Sequence, residues 1–222
     1  DLKYAEKARD LLVAYAEKYP TYRIHGNRPS GDNRPQAARM YSQTLSESSG
    51  HLGFLACYDL TRGSGLYSAS DAAAIENDWF REAVRIISRC RSGRSNWQTW
   101  HNTALLWFGY VLGDDALVER TLDGEWGVRQ QLRESIRDDG FWYEGAVSYH
   151  FYALRALVHS AEAAYYHGTN LWDDPNLVAA FTAPLEFAWP NGEYPALNDT
   201  ARYDNERYTV FTSPFGELAR VA

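Results

Sequence analysis

The chain has 222 residues, with 22 lysines and arginines against 29 aspartates and glutamates, and aromatic side chains make up 15% of it. That length suits one domain or a piece of a larger one, and 45% hydrophobic with 23% charged residues excludes a disordered chain. No apolar run approaches the ~20 residues that cross a bilayer, and a net charge of −7 argues against a general nucleic-acid or membrane binder.

The sequence reads as a soluble globular protein. Its opening DLKYAEKARD lacks a basic segment followed by an apolar run, so the expectation is that any secretion signal has been removed or was never there. Tyr4, Ala8, Leu11, Leu12, Tyr15 and Tyr19 then fall at helical spacing, which predicts an amphipathic helix over 2–19 that stops before Pro20. Residues 21–35 are dense in Gly, Pro, Asn and Asp and predict a long polar loop. A second helix is expected over 36–61, with Leu45, Leu52, Leu55, Ala56 and Leu60 as its apolar positions.

Ser70 is placed to cap a helix of about 71–91 whose face uses Ile75, Trp79, Val84 and Ile87, ended by Gly93. Further helices are expected over 96–112, stopping at Gly113, between Gly127 and Asp138 with Val128, Leu132 and Ile136, and over 145–167 before Gly168. Pro175 suits the first turn of one more, carrying Leu177, Phe181 and Leu185 towards Trp189. Pro190 opens a last loop, and YTVF at 208–211 fits strand or helix. With no sustained period-two alternation, the class is all-α, built of antiparallel helix hairpins. A bundle, a solenoid and a toroid of paired helices all fit that pattern.

The two cysteines, Cys57 and Cys90, lie in helix-like stretches and read as buried thiols. Neither they nor the six histidines show CxxC or HExxH spacing, so no metal and no cofactor is expected. Two stretches carry polar groups that packing alone does not demand. In RSNWQTWHN, residues 94–102, Asn96, Trp97, Trp100 and His101 gather at the start of a helix, where Asn96 is either a plain cap or a site residue. Just upstream stand five arginines, Arg81, Arg85, Arg89, Arg91 and Arg94, against one glutamate, Glu82. They form either a solvated face or a positive rim that draws a polyanion.

The second stretch is DDGFWYEGAVSYHFYALRAL, residues 138–157. Tyr149 and Tyr152 share a helical face there, beside Glu144 and His150. A tyrosine among apolar residues is ordinarily a core residue with a satisfied hydroxyl. Asp138, Asp139 and Glu144 also offer paired carboxylates of the kind that hydrolyse glycosides, although acidic residues at a turn commonly cap a helix.

Taken together, NWQTWHN and, about fifty residues on, DGFWYEGAVSYHFYAL resemble the heparinase II/III and alginate lyase group of polysaccharide lyases. QTLSES at 43–48 and YPALND at 194–199 are similar to two further segments of that group, so the likeness runs from about residue 4 to 200. It implies an α/α toroid over residues 1–200, incomplete and without the usual C-terminal β-sandwich, with 201–222 left as a tail or the start of a missing region. That sandwich would be a partner supplied elsewhere.

The resemblance further implies β-elimination of a 4-linked uronic acid polysaccharide in the periplasm or outside the cell. Asn96 with His101 would neutralise the uronate carboxylate, and Tyr149 would serve as the base. Gln43, Arg94, Trp97, Trp100, Glu144 and His150 would line the substrate, with Trp142 and Tyr143 as further flat faces for sugar. The position after Asn96 holds Trp97 where many members carry His. Two other classes compete: a glycoside hydrolase using Glu144 with Asp138 or Asp139, and a non-catalytic carbohydrate-binding domain.

Overall fold

A computed structural model describes residues 2–26, 36–198 and 200. Among these residues the regular elements are helices, and isolated bridges pair His25 with Ala38 and Ile136 with Trp142. Of the predicted loop at 21–35, residues 27–35 lie outside the described residues, as do Asp199 and the YTVF segment. No described helix is long and apolar enough to cross a membrane. The backbone divides into two compact units, residues 1–93 with 101–119, and residues 94–100 with 120–222.

The first unit begins with α1 (Leu2–Lys18) and a 3₁₀ turn at Tyr19–Thr21. Its buried stripe is Leu12, Ala16 and Tyr19, whereas Tyr4 and Leu11, expected on that face, are exposed. Helix α2 (Thr44–Thr61) starts eight residues later than the sequence predicts. The cause is Glu47, fully buried, whose carboxylate accepts from the Tyr19 hydroxyl at 2.6 Å and from the backbone N–H groups of Met40 and Tyr41 at 3.1 and 2.9 Å. Ala38 meanwhile exchanges both backbone bonds with His25. Those groups are therefore unavailable to a helical ladder, and 36–43 stays irregular. Leu52 and Leu55 face the core, but Leu60 is 84% exposed.

Ser68, not Ser70, caps the next helix: its hydroxyl accepts from Asp71 N–H while the Asp71 carboxylate accepts from Ser68 N–H, a reciprocal capping box. The predicted single helix is three pieces, α3 (Ala69–Ala73), a π-helical stretch (Ala74–Phe80) and α4 (Arg81–Ser88). The wider π turn carries two neighbours, Trp79 and Phe80, into the core together and leaves Val84 at the margin. Trp79 lies 5.0 Å from both Phe54 and Phe80, and its indole N–H donates to His51 Nε2 at 2.9 Å. His51 is buried and turns its Nδ1 to the Glu47 carbonyl, and burial lowers its pKa below the ordinary value. Helix α5 (Asn96–Leu112) has the predicted bounds and adds Phe108 to this cluster, 5.5 Å from Phe80. Both cysteines are free thiols, Cys90 buried and Cys57 half-buried.

After Gly113, Asp114 caps α6 (Asp115–Asp123), a helix for which the sequence reading makes no provision. The second unit continues with α7 (Val128–Ser135), α8 (Val147–Tyr166) and α9 (Pro175–Phe187), close to the predicted spans. Asp174 caps α9 with Pro175 in the first turn. Between α7 and α8 the chain doubles back: Arg137 N–H donates to Phe141 O, and Tyr143 N–H to Ser135 O, both at 2.9 Å. Gly140 turns this corner at φ +79°, and any Cβ there would stand 2.6 Å from the Ala179 carbonyl of α9. Only glycine fits on both counts. The loop after α9 closes back on the head of α8, where Val147 N–H donates to Thr200 and Asn198 donates to the Gly145 carbonyl.

Candidate active site

Asn96 is the first residue of α5, and it does not close the end of that helix. Ser95 does so, its hydroxyl accepting from Gln98 N–H at 3.1 Å. The Asn96 side chain, buried, is thereby free to reach across the second unit, where its Nδ2 donates to both oxygens of Glu144, at 2.8 and 3.1 Å. The same carboxylate accepts the indole N–H of Trp142. Glu144 stands three residues ahead of α8, so this cluster joins the head of α5 to the approach of α8. Tyr149 follows in the first turn of α8.

Tyr149 is half-buried, and among the described residues its side chain makes no hydrogen bond, ion pair or ring contact. The satisfied-core alternative therefore does not describe it. Tyr152, on the same face, is placed differently: its ring packs 5.2 Å from Trp100, and burial pushes its hydroxyl above the ordinary phenol value. Tyr143 donates its hydroxyl to the Arg94 carbonyl at 2.7 Å, while the exposed Arg94 guanidinium lies 4.1 Å from the Tyr143 ring centre. Burial, then the charge of Glu144, raises the Tyr143 pKa, with Arg94 opposing.

Several expected site residues occupy other positions. His150 is buried with both ring nitrogens engaged: Nδ1 accepts from Trp142 N–H and Nε2 donates to the Ala180 carbonyl, each at 3.0 Å. Burial holds its pKa down at about 4, so it is a neutral brace for the Trp142 turn and not a substrate contact. His101 is buried in the first unit with its ring on the Cys90 backbone, and burial drives its pKa down to about 3. A histidine so desolvated brings no positive charge to a uronate.

Trp100 and Trp142 are buried and unavailable for stacking, which leaves the half-buried Trp97 and Tyr143 as the flat faces near Asn96. Asp139, one of the carboxylates considered for hydrolysis, is an exposed turn residue accepting from Phe141 N–H. In the first unit Gln43 is the extended residue ahead of α2, its side chain making no cap bond. That unit also has an open cleft of about 300 Å³ lined by Tyr15, Tyr22, Arg39, Met40, Tyr41 and Phe54, none of them expected from the sequence to line a site.

Part of the basic run is paired with carboxylates. Arg81 sits 3.7 Å from Asp114, and Glu82 takes both Arg85 and Arg39, whose bonds hold its carboxyl down at about 2. Arg94 remains exposed. Sequence reasoning missed Ser95, which frees Asn96 from capping, and read Trp142 as a face for sugar where its indole N–H instead anchors Glu144. The Ser-Asn pair ahead of a helix was the available signal for the first. For the second it was an indole N–H in need of an acceptor.

Residues 1–192 match the family described as Alginate lyase. The chain is 33% identical over 172 residues to an exo-oligoalginate lyase of Saccharophagus degradans, and 32% identical over 171 residues to an alginate lyase of Stenotrophomonas maltophilia. Each alignment covers 73% of this chain and 22% of the relative, so the chain spans about a fifth of the length of these proteins.

Proposed function

The chain belongs to the alginate lyase family, and on that premise we propose that it cleaves a 4-linked uronic acid polysaccharide, alginate first among them, by β-elimination. The toroid of paired helices and a periplasmic or secreted location belong to the same proposal. The chemical difficulty is removing the C5 proton beside a carboxylate, because the electrons left behind add charge to a group already negative. Asn96 donates an amide N–H to that carboxylate and stabilises the enolate-like charge as it develops. Tyr149 takes the C5 proton. The C5–H electrons form the C4–C5 double bond, the bond from C4 to the glycosidic oxygen breaks, and that oxygen leaves with a proton returned by Tyr149.

The observation that carries the reading is the occupancy of Asn96: released from capping by Ser95, its amide nitrogen already holds a carboxylate, that of Glu144. The hydroxyl of Tyr149, without a partner among the described residues, is the matching acceptor. Trp97 and Tyr143 offer stacking faces and Arg94 a charge. The test is incubation with alginate, heparan sulfate, hyaluronan and chondroitin, following ultraviolet absorbance and reducing ends together. Absorbance with alginate is expected. Reducing ends without absorbance would mean hydrolysis, and neither signal would mean a binding module.

A further inference from the structure

We infer that Glu144 contacts the substrate directly, sharing one proton with the uronate carboxylate held at Asn96, and so supplies neutralisation that Trp97 cannot. The inference rests on the reading of Asn96 as the carboxylate donor. An ionised carboxylate offers about four acceptor sites, and Glu144 uses them for two neutral donors, Asn96 Nδ2 and Trp142 Nε1. Among the described residues no cation pairs with it.

Among the described residues, the groups near Glu144 come from three segments. From the head of α5 come Asn96 and the exposed Arg94, whose guanidinium is laid on the Tyr143 ring. From the turn come Trp142 and Tyr143, the latter bonded to the Arg94 carbonyl, with Asp138 and Asp139 exposed farther back. From α8, His150 is neutral and bonded at both nitrogens behind Trp142.

An amide nitrogen has two hydrogens. With one committed to Glu144, the other is left for a guest, and a uronate accepting it would set two carboxylates against one donor. Two carboxylates that share a site retain a proton between them. The proton comes from solvent on binding, joins the two groups, and removes one negative charge from the pair where the elimination would add another. Trp97 cannot do this, because an indole N–H is a donor without charge or exchangeable protonation state near neutrality.

The test uses Tyr149→Phe, so that an alginate oligosaccharide stays whole, with calorimetry in buffers of different ionisation enthalpy. Uptake of about one proton per bound chain is expected, with affinity falling about tenfold per pH unit on the alkaline side. Adding Glu144→Gln replaces the shared proton by a permanent N–H. It should abolish the uptake, flatten the pH slope and bind more tightly than the parent at alkaline pH. No uptake in Tyr149→Phe, or an unchanged slope with Glu144→Gln, overturns the inference. If Glu144→Gln does not fold, the uptake in Tyr149→Phe decides alone. Failure of the unaltered protein to bind or cleave any uronate chain overturns the lyase reading as well, whereas cleavage without proton uptake overturns this inference only.

Discussion

His150 donates its Nε2–H to the carbonyl of Ala180 at 3.0 Å, and that carbonyl is the one Pro184 leaves without a donor in α9. In an uninterrupted helix, residue 184 would supply the N–H to residue 180. The imidazole from α8 takes its place, and its other nitrogen holds Trp142 N–H. Truncation as His150→Ala would orphan both groups and open a cavity. A loss of about 3 kcal/mol is expected from the urea midpoint, each stranded group costing roughly 1–3 kcal/mol. A loss under about 1 kcal/mol would mean that water or a neighbour replaces the ring.

The same burial sets an acid limit. His150 is held down at about 4 and His101 at about 3, both by burial, against about 6.5 for an exposed imidazole. The unfolded chain therefore binds more protons below pH 6.5, so stability is complete above that value. It falls as the pH drops towards 4 for His150 and 3 for His101, by up to about 1.4 kcal/mol per pH unit for each. Glu82, held down at about 2 by Arg85 and then Arg39, adds a loss that begins as the pH falls through the ordinary carboxylate range and continues towards 2. Chemical denaturation between pH 8 and 4 should show a plateau that bends near 6.5. A flat profile down to 5 would contradict the neutral, buried histidines.

Ser95 and Asn96 separate capping from chemistry. Asn96→Ala removes the donor to Glu144 but leaves the Ser95 cap, so turnover on alginate should drop roughly 10²- to 10³-fold with the helical signal retained. Ser95→Ala should do the reverse, costing about 1 kcal/mol of stability with a much smaller effect on turnover. Comparable turnover losses in both variants would mean that Asn96 acts only through the helix end.

These relationships mark how far the sequence is legible. The bounds of α5 follow from the Ser-Asn pair and Gly113, and that of α8 from Gly168, because caps and left-handed glycines are local signals. The start of α2 is not legible. A buried carboxylate, Glu47, gathers backbone N–H groups six and seven residues upstream and a hydroxyl 28 residues away. Asn96 and Tyr149 were legible as candidates by resemblance, and so was Glu144. What periodicity could not reveal is that Asn96 holds Glu144 across 48 positions, or that His150 and His101 are interior and neutral. Burial of a polar group depends on partners distant in sequence, and its residue type is the same in either setting.

Tyr149 and Tyr152 give the sharpest contrast. They lie three apart on α8, yet the Tyr149 side chain has no partner among the described residues, and the Tyr152 ring packs against Trp100. Tyr149→Phe breaks no bond, so stability should stay within about 0.5 kcal/mol of the parent. Unsaturated product should nonetheless disappear, since the acceptor for the C5 proton is gone. Tyr152→Phe keeps the ring that packs on Trp100, and its product formation should persist. Ultraviolet absorbance read alongside urea midpoints distinguishes the two. Product from Tyr149→Phe at the parental rate would take the base away from α8's first turn, and loss with Tyr152→Phe alone would move it one turn along.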